Sequence, residues 1–409
     1  MKTIHLLMVL AFVSLQLTPC SAQTNESDNA TTNQISIGVR DGLYSEILKE
    51  QRELLIHVPS SAGYGRRFPV LFVLDGEYHF ESVVGIMKYH SLSGLIPEMI
   101  VVAIPNTDRF RDLTTSHIGD DTNPSGGAGN FTKFLESELI PYIDKTYPTF
   151  PHRTLFGHSL GGLVVVNTLL NHKHLFNNYL AIDPSLSWGD QSFLKEAKSK
   201  IQERVYEDKS LYIAIANTLR GDMTVEEARQ DTTTATLHLR SIFEFSELAK
   251  ANEQLLSDSK YYGSEIHGTL PIIAEQDAFR FLFSWYQFEH WGEFYSPAPK
   301  FSGEELRDMV VSYYEKLSDK FGQQLIPWED EINGIVYLFL GRKDYDRAFP
   351  FLEWNIQNYP ESANVYDSMG DYYVGVSDDA NAIKYFSKSL ELGGVDGTKE
   401  KLEALQRKK

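Results

Sequence analysis

The sequence predicts an α/β protein in which a mostly parallel central sheet is covered by helices, followed by a small all-α region at the C-terminal end. Short apolar runs, typical of strands buried on both faces, alternate with helical stretches and end in polar loops, and this rhythm predicts the sheet. The all-α region is predicted from a change in composition after Glu289, where residues begin to recur at a spacing of 34 positions.

Composition bounds the function before any motif is considered. The chain has 409 residues, enough for one large domain and a smaller one. Its 38 basic and 56 acidic residues give a formal net charge of −18, which argues against a nucleic-acid or anionic-membrane surface. Beyond the N-terminal segment no apolar run is long enough for a membrane helix, so no transmembrane segment is expected.

Residues 1–22 are expected to be a signal peptide. Lys2 supplies a positive start, Leu6–Leu17 is mostly apolar but too short to span a bilayer, and cleavage is expected after Ala22. We therefore expect an exported protein, periplasmic or secreted. A lipid anchor at Cys20 is the weaker alternative, because Pro19 does not suit a lipoprotein cleavage box. Cleavage after Ala22 would remove the single cysteine, leaving no disulfide and no thiol ligand.

A polar, disordered lead is expected over residues 23–33, followed by an α/β domain over residues 34–290. Alternating patterns predict strands between residues 34 and 59. Further strands are predicted at Phe68–Leu74, Met99–Ile104, Thr154–Phe156, Tyr179–Ile182 and Leu211–Ala216, with a helix over Phe131–Tyr142. Residues 223–260 are charged and helical in pattern and are interpreted as an insertion, either a lid beside the site or a peripheral helix.

Residues 291–303 are predicted to be a linker to a helical domain over residues 304–409. There Ala348 and Ala382 lie 34 positions apart, which is the period of tetratricopeptide repeats. The second copy carries the signature residues Tyr366, Met369, Gly370, Tyr373, Ala382 and Phe386, whereas the first is degenerate. Two copies are fewer than usually stand alone, so we expect them to stack on a helix over Ser302–Lys320. They would form either a docked appendage or a groove for a protein partner.

The strongest motif is Gly157-His158-Ser159-Leu160-Gly161, which lies between an apolar strand and an apolar helix. This is G-x-S-x-G in the strand–turn–helix context that raises a nucleophilic serine above a sheet edge. The backbone N–H of Leu160, at the start of the helix, would face the negative charge that develops on an attacked carbonyl. We therefore predict Ser159 as the nucleophile and Leu160 as an oxyanion donor.

A serine hydroxyl needs a base, and in this kind of site the chain order is serine, then acid, then histidine. His267 is the predicted base, because it lies in a loop between an extended stretch and a helix, and Gly268 lets the backbone bend there. His117 is the alternative. The acid is expected after the strand Leu211–Ala216, where Asp222 is the first carboxylate.

The alternatives to Asp222 as the acid are Glu226, Glu227 and Asp231, which lie on a predicted helix. If Asp222 only caps that helix, the site would work as a Ser–His dyad.

Four further residues are predicted around the site. The backbone N–H of Glu77 is the expected second oxyanion donor, and its neighbour Tyr78 is the next candidate and a candidate substrate contact. Arg109 lies in a charged loop and would either hold that loop or bind an anionic substrate. Trp188 follows another strand and would line an acyl pocket or pack in the core. No H-E-x-x-H spacing offers a zinc site, so no metal or cofactor is expected.

With these residues assembled, the chain resembles the esterase D family of α/β-hydrolases, which includes enterochelin, feruloyl and acetyl-xylan esterases, S-formylglutathione hydrolase and mycolyl transferases. The resemblance covers Ser36–Tyr286. It rests on four segments: Val73-Leu74-Asp75-Gly76, Asn106–Asp112, Gly157–Gly162 and Glu265–Thr269. It implies an α/β-hydrolase fold, with Ser159 as nucleophile, His267 as base and the amides of Glu77 and Leu160 as oxyanion donors. Asp222 matches less securely, because residues 223–260 are longer than the usual connection.

The sequence therefore predicts an exported serine carboxylic-ester hydrolase that works through an acyl-enzyme on a small-molecule or glycan-linked ester. One alternative is acyl transfer to an acceptor other than water. The other is an interaction protein, in which the C-terminal repeats bind a partner and the hydrolase part is a scaffold.

Overall fold

The computed structural model describes residues 35–118, 124–203, 205–296 and 300–407, so the expected signal peptide and disordered lead lie outside the described residues. One eight-stranded sheet forms the centre, in the order β1-β2-β4-β3-β5-β6-β7-β8. Its strands are β1 (Val39–Ser45), β2 (Glu50–His57), β3 (Phe68–Leu74), β4 (Ile100–Ile104), β5 (Thr149–His158), β6 (Asn178–Ile182), β7 (Ser210–Ala216) and β8 (Leu256–Tyr262).

The sheet is parallel from β4 to β8, and β1 and β2 extend it as an antiparallel edge. Both faces are covered. Along β3, Val70 and Phe72 point into one apolar cluster and Leu71 and Val73 into the other, and all four are fully buried. A strand buried on both faces does not alternate between apolar and polar residues, and this explains the near-continuous apolar runs in the sequence. The predicted fold class, a mostly parallel sheet with helices on both faces and a helical C-terminal region, is confirmed.

Sixteen α-helices are described. They are α1 (Gly76–Leu92), α2 (Arg109–Leu113), α3 (Ala128–Phe134), α4 (Ile140–Thr146), α5 (Leu160–Asn171), α6 (Trp188–Glu203), α7 (Val225–Gln230), α8 (Leu237–Lys250), α9 (Leu270–Leu282), α10 (Trp291–Tyr295), α11 (Gly303–Phe321), α12 (Glu329–Leu340), α13 (Tyr345–Asn358), α14 (Ala363–Gly375), α15 (Asp379–Glu391) and α16 (Thr398–Gln406). α1 and α9 cover one face of the sheet, and α3, α5, α6 and α8 cover the other.

The charged segment 223–260 is not an insertion. It contains α7, α8 and the start of β8, and α8 is the helix of the crossover between the parallel strands β7 and β8. Ile242 and Phe245 of α8 are fully buried against the sheet. Parallel neighbours require such a connection, so this helix belongs to the layer that covers the sheet.

The C-terminal helices dock at the amino end of β5. The ring of Phe321 in α11 lies 5.0 Å from that of Phe150 in β5, and Arg66 lies over the ring of Trp328 at 4.6 Å. Phe294, within the predicted linker, is fully buried among helices of this region.

In the described part of the chain, no helix combines the length and apolar character that crossing a bilayer requires. The tetratricopeptide assignment remains a prediction.

Candidate active site

Ser159 occupies a strained turn between β5 and α5. Its φ of 60° and ψ of −115° are a conformation that non-glycine residues rarely adopt. The close approach of α5 to the strand requires glycine at position 157, because a Cβ there would lie 2.3 Å from the carbonyl group of Gly161. The Ser159 N–H donates to the carbonyl of Ile182 at 2.9 Å, which ties the turn to β6. The side chain is half-buried at the carboxyl edge of the sheet.

Two helix starts meet beside this serine. Leu160 is the first residue of α5 and Glu77 the second residue of α1, and N–H groups in a first helical turn lack an acceptor within the helix. A Cβ on Gly161 would lie 3.3 Å from Oδ2 of Asp75, the residue that precedes α1, so the two helix starts are neighbours. The N–H of Tyr78 donates to the Asp75 carbonyl at 2.9 Å. It is therefore engaged in the turn, which leaves Glu77 as the better donor.

His267 is hydrogen-bonded to a carboxylate, and that carboxylate is Asp183. Nδ1 of His267 lies 2.5 Å from Oδ2 of Asp183, which is fully buried and directly follows β6. The other oxygen, Oδ1, accepts the Ala216 N–H at 3.0 Å. A second imidazole, His238 of α8, places Nε2 3.1 Å from the same Oδ2. Burial by itself would raise the pKa of Asp183, but the hydrogen bonds from His238 and His267 outweigh it and hold the pKa below its ordinary value.

His158, the last residue of β5, links the Ser159 turn to the His267 loop. The Ser159 hydroxyl lies 3.2 Å from that of Ser185, and no direct hydrogen bond to His267 is found among the described residues. The rings of His158 and His267 lie 4.4 Å apart, and Nε2 of His158 donates to the His267 carbonyl at 3.0 Å. Since His158 precedes Ser159, this bond holds the His267 loop against the turn. Catalytic hydrogen bonds commonly shorten only when substrate is bound.

The structure does not place Asp222 beside His267. It lies exposed in the turn before α7, and the other carboxylates considered with it have local partners. Glu227 caps α7 through Thr224, Glu226 accepts from Gln230, and Asp231 accepts from the hydroxyls of Thr233 and Thr236. The end of β7, where the acid was expected, carries Asn217, which donates to the carbonyls of Glu265 and Gly263 and so supports the His267 loop.

Some of the residues predicted around the site form hydrogen bonds that hold its structure, and others are exposed to solvent. Arg109 donates to both carboxylate oxygens of Asp75, at 2.7 and 2.9 Å, and to the His158 carbonyl at 3.3 Å, so it braces the turn before α1. Trp188 is half-buried, donates to the Ser116 carbonyl at 3.1 Å and faces the ring of Phe110 at 6.3 Å. Tyr78 is 76% exposed. His117 is also exposed, with its ring 3.3 Å from the Ser125 hydroxyl.

Sequence reasoning missed Asp183 and His238. Asp183 had a signal, because Ala181-Ile182-Asp183 places a carboxylate at a strand end and keeps the order serine, acid, histidine. His238 had none, since it stands on an amphipathic helix far from any motif.

This sheet order, with a strained serine turn and a His–Asp pair at its carboxyl edge, defines an α/β-hydrolase. The family model described as "Putative esterase" matches residues 45–266, and the chain belongs to this family. The prediction of a carboxylic ester hydrolase is thereby confirmed at the level of reaction class.

Among curated relatives, a ferri-bacillibactin esterase of Bacillus subtilis is 29% identical over 42% of this chain and 68% of the relative. A siderophore triacetylfusarinine C esterase of Aspergillus fumigatus is 33% identical over 35% of this chain. That match spans 53% of the fungal protein, so the chain covers between about half and two thirds of these relatives.

Solved structures show the same fold. An IroE-like serine hydrolase from Shewanella oneidensis is 28% identical with a TM-score of 0.64, covering 79% of this chain and 99% of that one. An uncharacterised protein from Capnocytophaga ochracea is 18% identical with a TM-score of 0.60, covering 90% of this chain and 99% of that one. The likeness of fold therefore extends beyond residues 45–266 into the helical region.

Proposed function

We propose that the protein is a serine esterase in which Ser159, His267 and Asp183 form the catalytic triad, with Asp183 in place of the expected Asp222. The observation that carries this proposal is the strained Ser159 turn beside an imidazole whose Nδ1 lies 2.5 Å from a buried carboxylate. A carboxylate on Nδ1 fixes the tautomer that leaves Nε2 free to accept a proton.

Hydrolysis then takes place in two steps. The Ser159 hydroxyl attacks the ester carbonyl while His267 takes its proton, and the oxyanion accepts from the N–H groups of Leu160 and Glu77. His267 returns the proton to the leaving alcohol, which leaves an acyl-serine. Water, activated by the same imidazole, releases the acid. Each oxyanion donor is worth on the order of 10²–10³ in rate.

The substrate that we propose is an ester of an iron-chelating small molecule. The support is that relatives from a bacterium and a fungus are named for esterases of ferri-bacillibactin and triacetylfusarinine C. Aromatic side chains at the rim are consistent with a large ligand, since Tyr78 and Phe110 are 76% and 56% exposed and Trp188 lies beside Phe110. The role of Arg109 in this proposal is to brace the turn rather than to bind an anion, because its donors are engaged by Asp75.

The test compares wild type with Ser159→Ala on p-nitrophenyl acetate and on ferric bacillibactin. We expect the variant to lose activity by on the order of 10⁴-fold or more on both. Equal rates for the two proteins on p-nitrophenyl acetate would overturn the serine mechanism. Activity on the simple ester without any on the siderophore would overturn only the substrate assignment.

Export and the role of the C-terminal helices are part of the proposal. We infer a periplasmic or secreted enzyme from the apolar N-terminal segment, with Gln23 as the first mature residue. N-terminal sequencing of the protein from fractionated cells decides this, and an intact Met1 in the cytosolic fraction would contradict it.

For the helical region we propose a docked structural appendage, supported by the packing of Phe321 against Phe150.

A further inference from the structure

Three potential metal ligands converge at one point of the site. One ligand atom from each of Asp183, His238 and His267 lies within 4.8 Å of the others. Asp183 follows β6, His238 lies in the first turn of α8, and His267 lies before α9, so three elements contribute. The triad needs only one imidazole on its carboxylate. His238 therefore touches none of the reacting atoms in the mechanism above, although its Nε2 lies 3.1 Å from the same oxygen.

The donor set is one that zinc uses. Two imidazole nitrogens and one carboxylate oxygen supply three protein ligands, and a water completes the tetrahedron. His238 and His267 lie 55 and 84 positions from Asp183, which is why no spacing motif reveals the set in the sequence.

Further hydrogen bonds hold Asp183 and the turn before His238 in place. Oδ1 of Asp183 accepts the Ala216 N–H, which leaves Oδ2 directed at both imidazoles. The turn before His238 is pinned by Asp231, which accepts from Thr233 at 2.6 Å and from Thr236 at 2.7 Å. Outer hydrogen bonds of this kind orient metal ligands and support affinity.

The site is open on one side. The side chains of His238 and His267 are 26% and 42% exposed, whereas that of Asp183 is fully buried. An ion can therefore reach the two imidazoles from solvent, whereas the carboxylate is covered.

We propose that Asp183, His238 and His267 form an inhibitory site for Zn²⁺. The ion binds Oδ2 of Asp183, Nε2 of His238 and Nδ1 of His267, and replaces the hydrogen bonds between them. Each neutral imidazole moves its proton to its other nitrogen, so no net charge or proton is lost from the pair. His267 then carries hydrogen on the nitrogen that must accept the serine proton, and hydrolysis stops until the metal leaves. This inhibition rests on the proposed role of His267, whereas metal binding does not.

Binding is tested first, in the Ser159→Ala variant, with Co²⁺ as a spectroscopic probe and Zn²⁺ as its competitor. We expect one Co²⁺ per chain, with visible absorption of a four- or five-coordinate ion, displaced by Zn²⁺. Adding His238→Asn should weaken affinity by at least about tenfold. The matched control is His174→Asn, since His174 also places an imidazole 2.8 Å from a carboxylate, that of Glu136, with His172 beside it. Unchanged affinity in the His238 variant, or a loss in the His174 variant instead, overturns the site.

Inhibition is tested second, on the active enzyme with p-nitrophenyl acetate, and each variant is compared with its own metal-free rate. We expect Zn²⁺ to inhibit wild type and His174→Asn equally, with reversal by a chelator, and to inhibit His238→Asn at least about tenfold less strongly. Equal inhibition of all three proteins overturns the proposal. Should Co²⁺ bind as expected while wild type hydrolyses no ester, the metal site stands and the esterase proposal falls.

Discussion

Asp183 accepts hydrogen bonds from two imidazoles and one backbone amide while its side chain is completely buried. A buried carboxylate without partners would be neutral, so these three donors are what keep it ionised. In the proposed mechanism, an ionised Asp183 stabilises the imidazolium that forms on His267 during attack.

Replacing Asp183 with asparagine is expected to lower kcat by on the order of 10⁴-fold, because an amide in this position favours the wrong tautomer of His267. Asp222→Asn should leave kcat unchanged, since Asp222 is exposed and away from the imidazole. Steady-state kinetics with p-nitrophenyl acetate make the comparison, and circular dichroism verifies folding. A large loss in the Asp222 variant with a normal Asp183 variant would restore the original prediction.

Glu275, on α9, is another fully buried carboxyl. The Ser82 hydroxyl lies 3.3 Å from one of its oxygens, and the other has no hydrogen-bond partner among the described residues. Burial raises the pKa of Glu275 to about 8 and lowers the pKa of His79, whose ring nitrogen is 3.9 Å away. The pair is therefore neutral at pH 7, and it is not an ion pair.

This burial makes the free energy of unfolding depend on pH. The unfolded chain ionises Glu275 near pH 4.5 and the folded protein only near pH 8, so the folded state binds more protons between these values. Stability is lost as pH rises through this window, by up to about 1.4 kcal/mol for each pH unit. Glu275→Gln removes the ionisation. We expect the variant to gain stability relative to wild type between pH 5 and pH 8 in urea titrations, and a constant difference across that range would contradict the assignment.

At the residue scale, the sequence predicts a site residue only where the neighbouring residues form a recognisable local pattern. Ser159 and His267 stand in local contexts, a strand–turn–helix and a loop before a helix, that can be read from neighbouring residues. The acid cannot be read in this way, because the ends of β6 and β7 both meet the edge where His267 lies. Which of the two carries the carboxylate depends on how the loops after them fold. Here Asn217 supports the His267 loop and Asp183 contacts its ring.

The loop after β4 depends on a buried ion network. Nη1 of Arg52 in β2 donates to Asp112 at 2.7 Å, to Thr107 at 2.6 Å and to Glu50 at 2.9 Å, and the Arg52 side chain is 1% exposed. Arg111 adds hydrogen bonds to Glu50 and Asp112. The network joins the antiparallel edge of the sheet to α2, and so fixes the segment that also carries Arg109.

Arg52→Met is expected to destabilise the protein by about 3–5 kcal/mol, because it leaves Oδ2 of the buried Asp112 carboxylate without the cation that binds it, while Arg111 still binds Oδ1. The control is Arg40→Met in the neighbouring strand β1, whose ion pair with Glu53 is exposed and should contribute about 0–1 kcal/mol. Chemical denaturation measures both. Similar losses for the two variants would mean that burial of the network does not determine its contribution.

Elements are predicted best where the pattern is long and apolar. The strands β3, β4, β6 and β7 are confirmed within one residue at each end, since burial on both faces leaves a continuous apolar run. The helix predicted over Phe131–Tyr142 is present as α3 and α4, joined by a wider turn at Leu135–Leu139 just before Pro141, which has no N–H to donate. The role of residues 223–260 was misjudged, because amphipathic periodicity identifies a helix but not the layer in which it packs.

On the scale of the whole molecule, the helical region and the site lie at opposite ends of the sheet. Phe150 stands near the start of β5 and Ser159 just after its end, so the docking contact and the proposed nucleophile are about 30 Å apart. Sequence periodicity predicted these helices but not their docking point, since the contact depends on single aromatic residues in otherwise unremarkable segments. Phe321 meets Phe150 at 5.0 Å, His152 at 5.3 Å and Trp285 at 5.2 Å between ring centroids.

Phe321→Ala separates structural docking from a role in catalysis. Removing a ring that is 97% buried is expected to cost about 3–5 kcal/mol, seen as a lower Tm or an earlier separate unfolding of the helical region. The kcat/KM for p-nitrophenyl acetate should not change at temperatures where the protein stays folded, because no part of this contact approaches Ser159. Val374→Ala, at a position 41% exposed on α14, is the control and should stay within about 0.5 kcal/mol of wild type. If kcat/KM fell in a folded Phe321 variant, the helices would have to influence the site through the sheet, and their description as an appendage would be wrong.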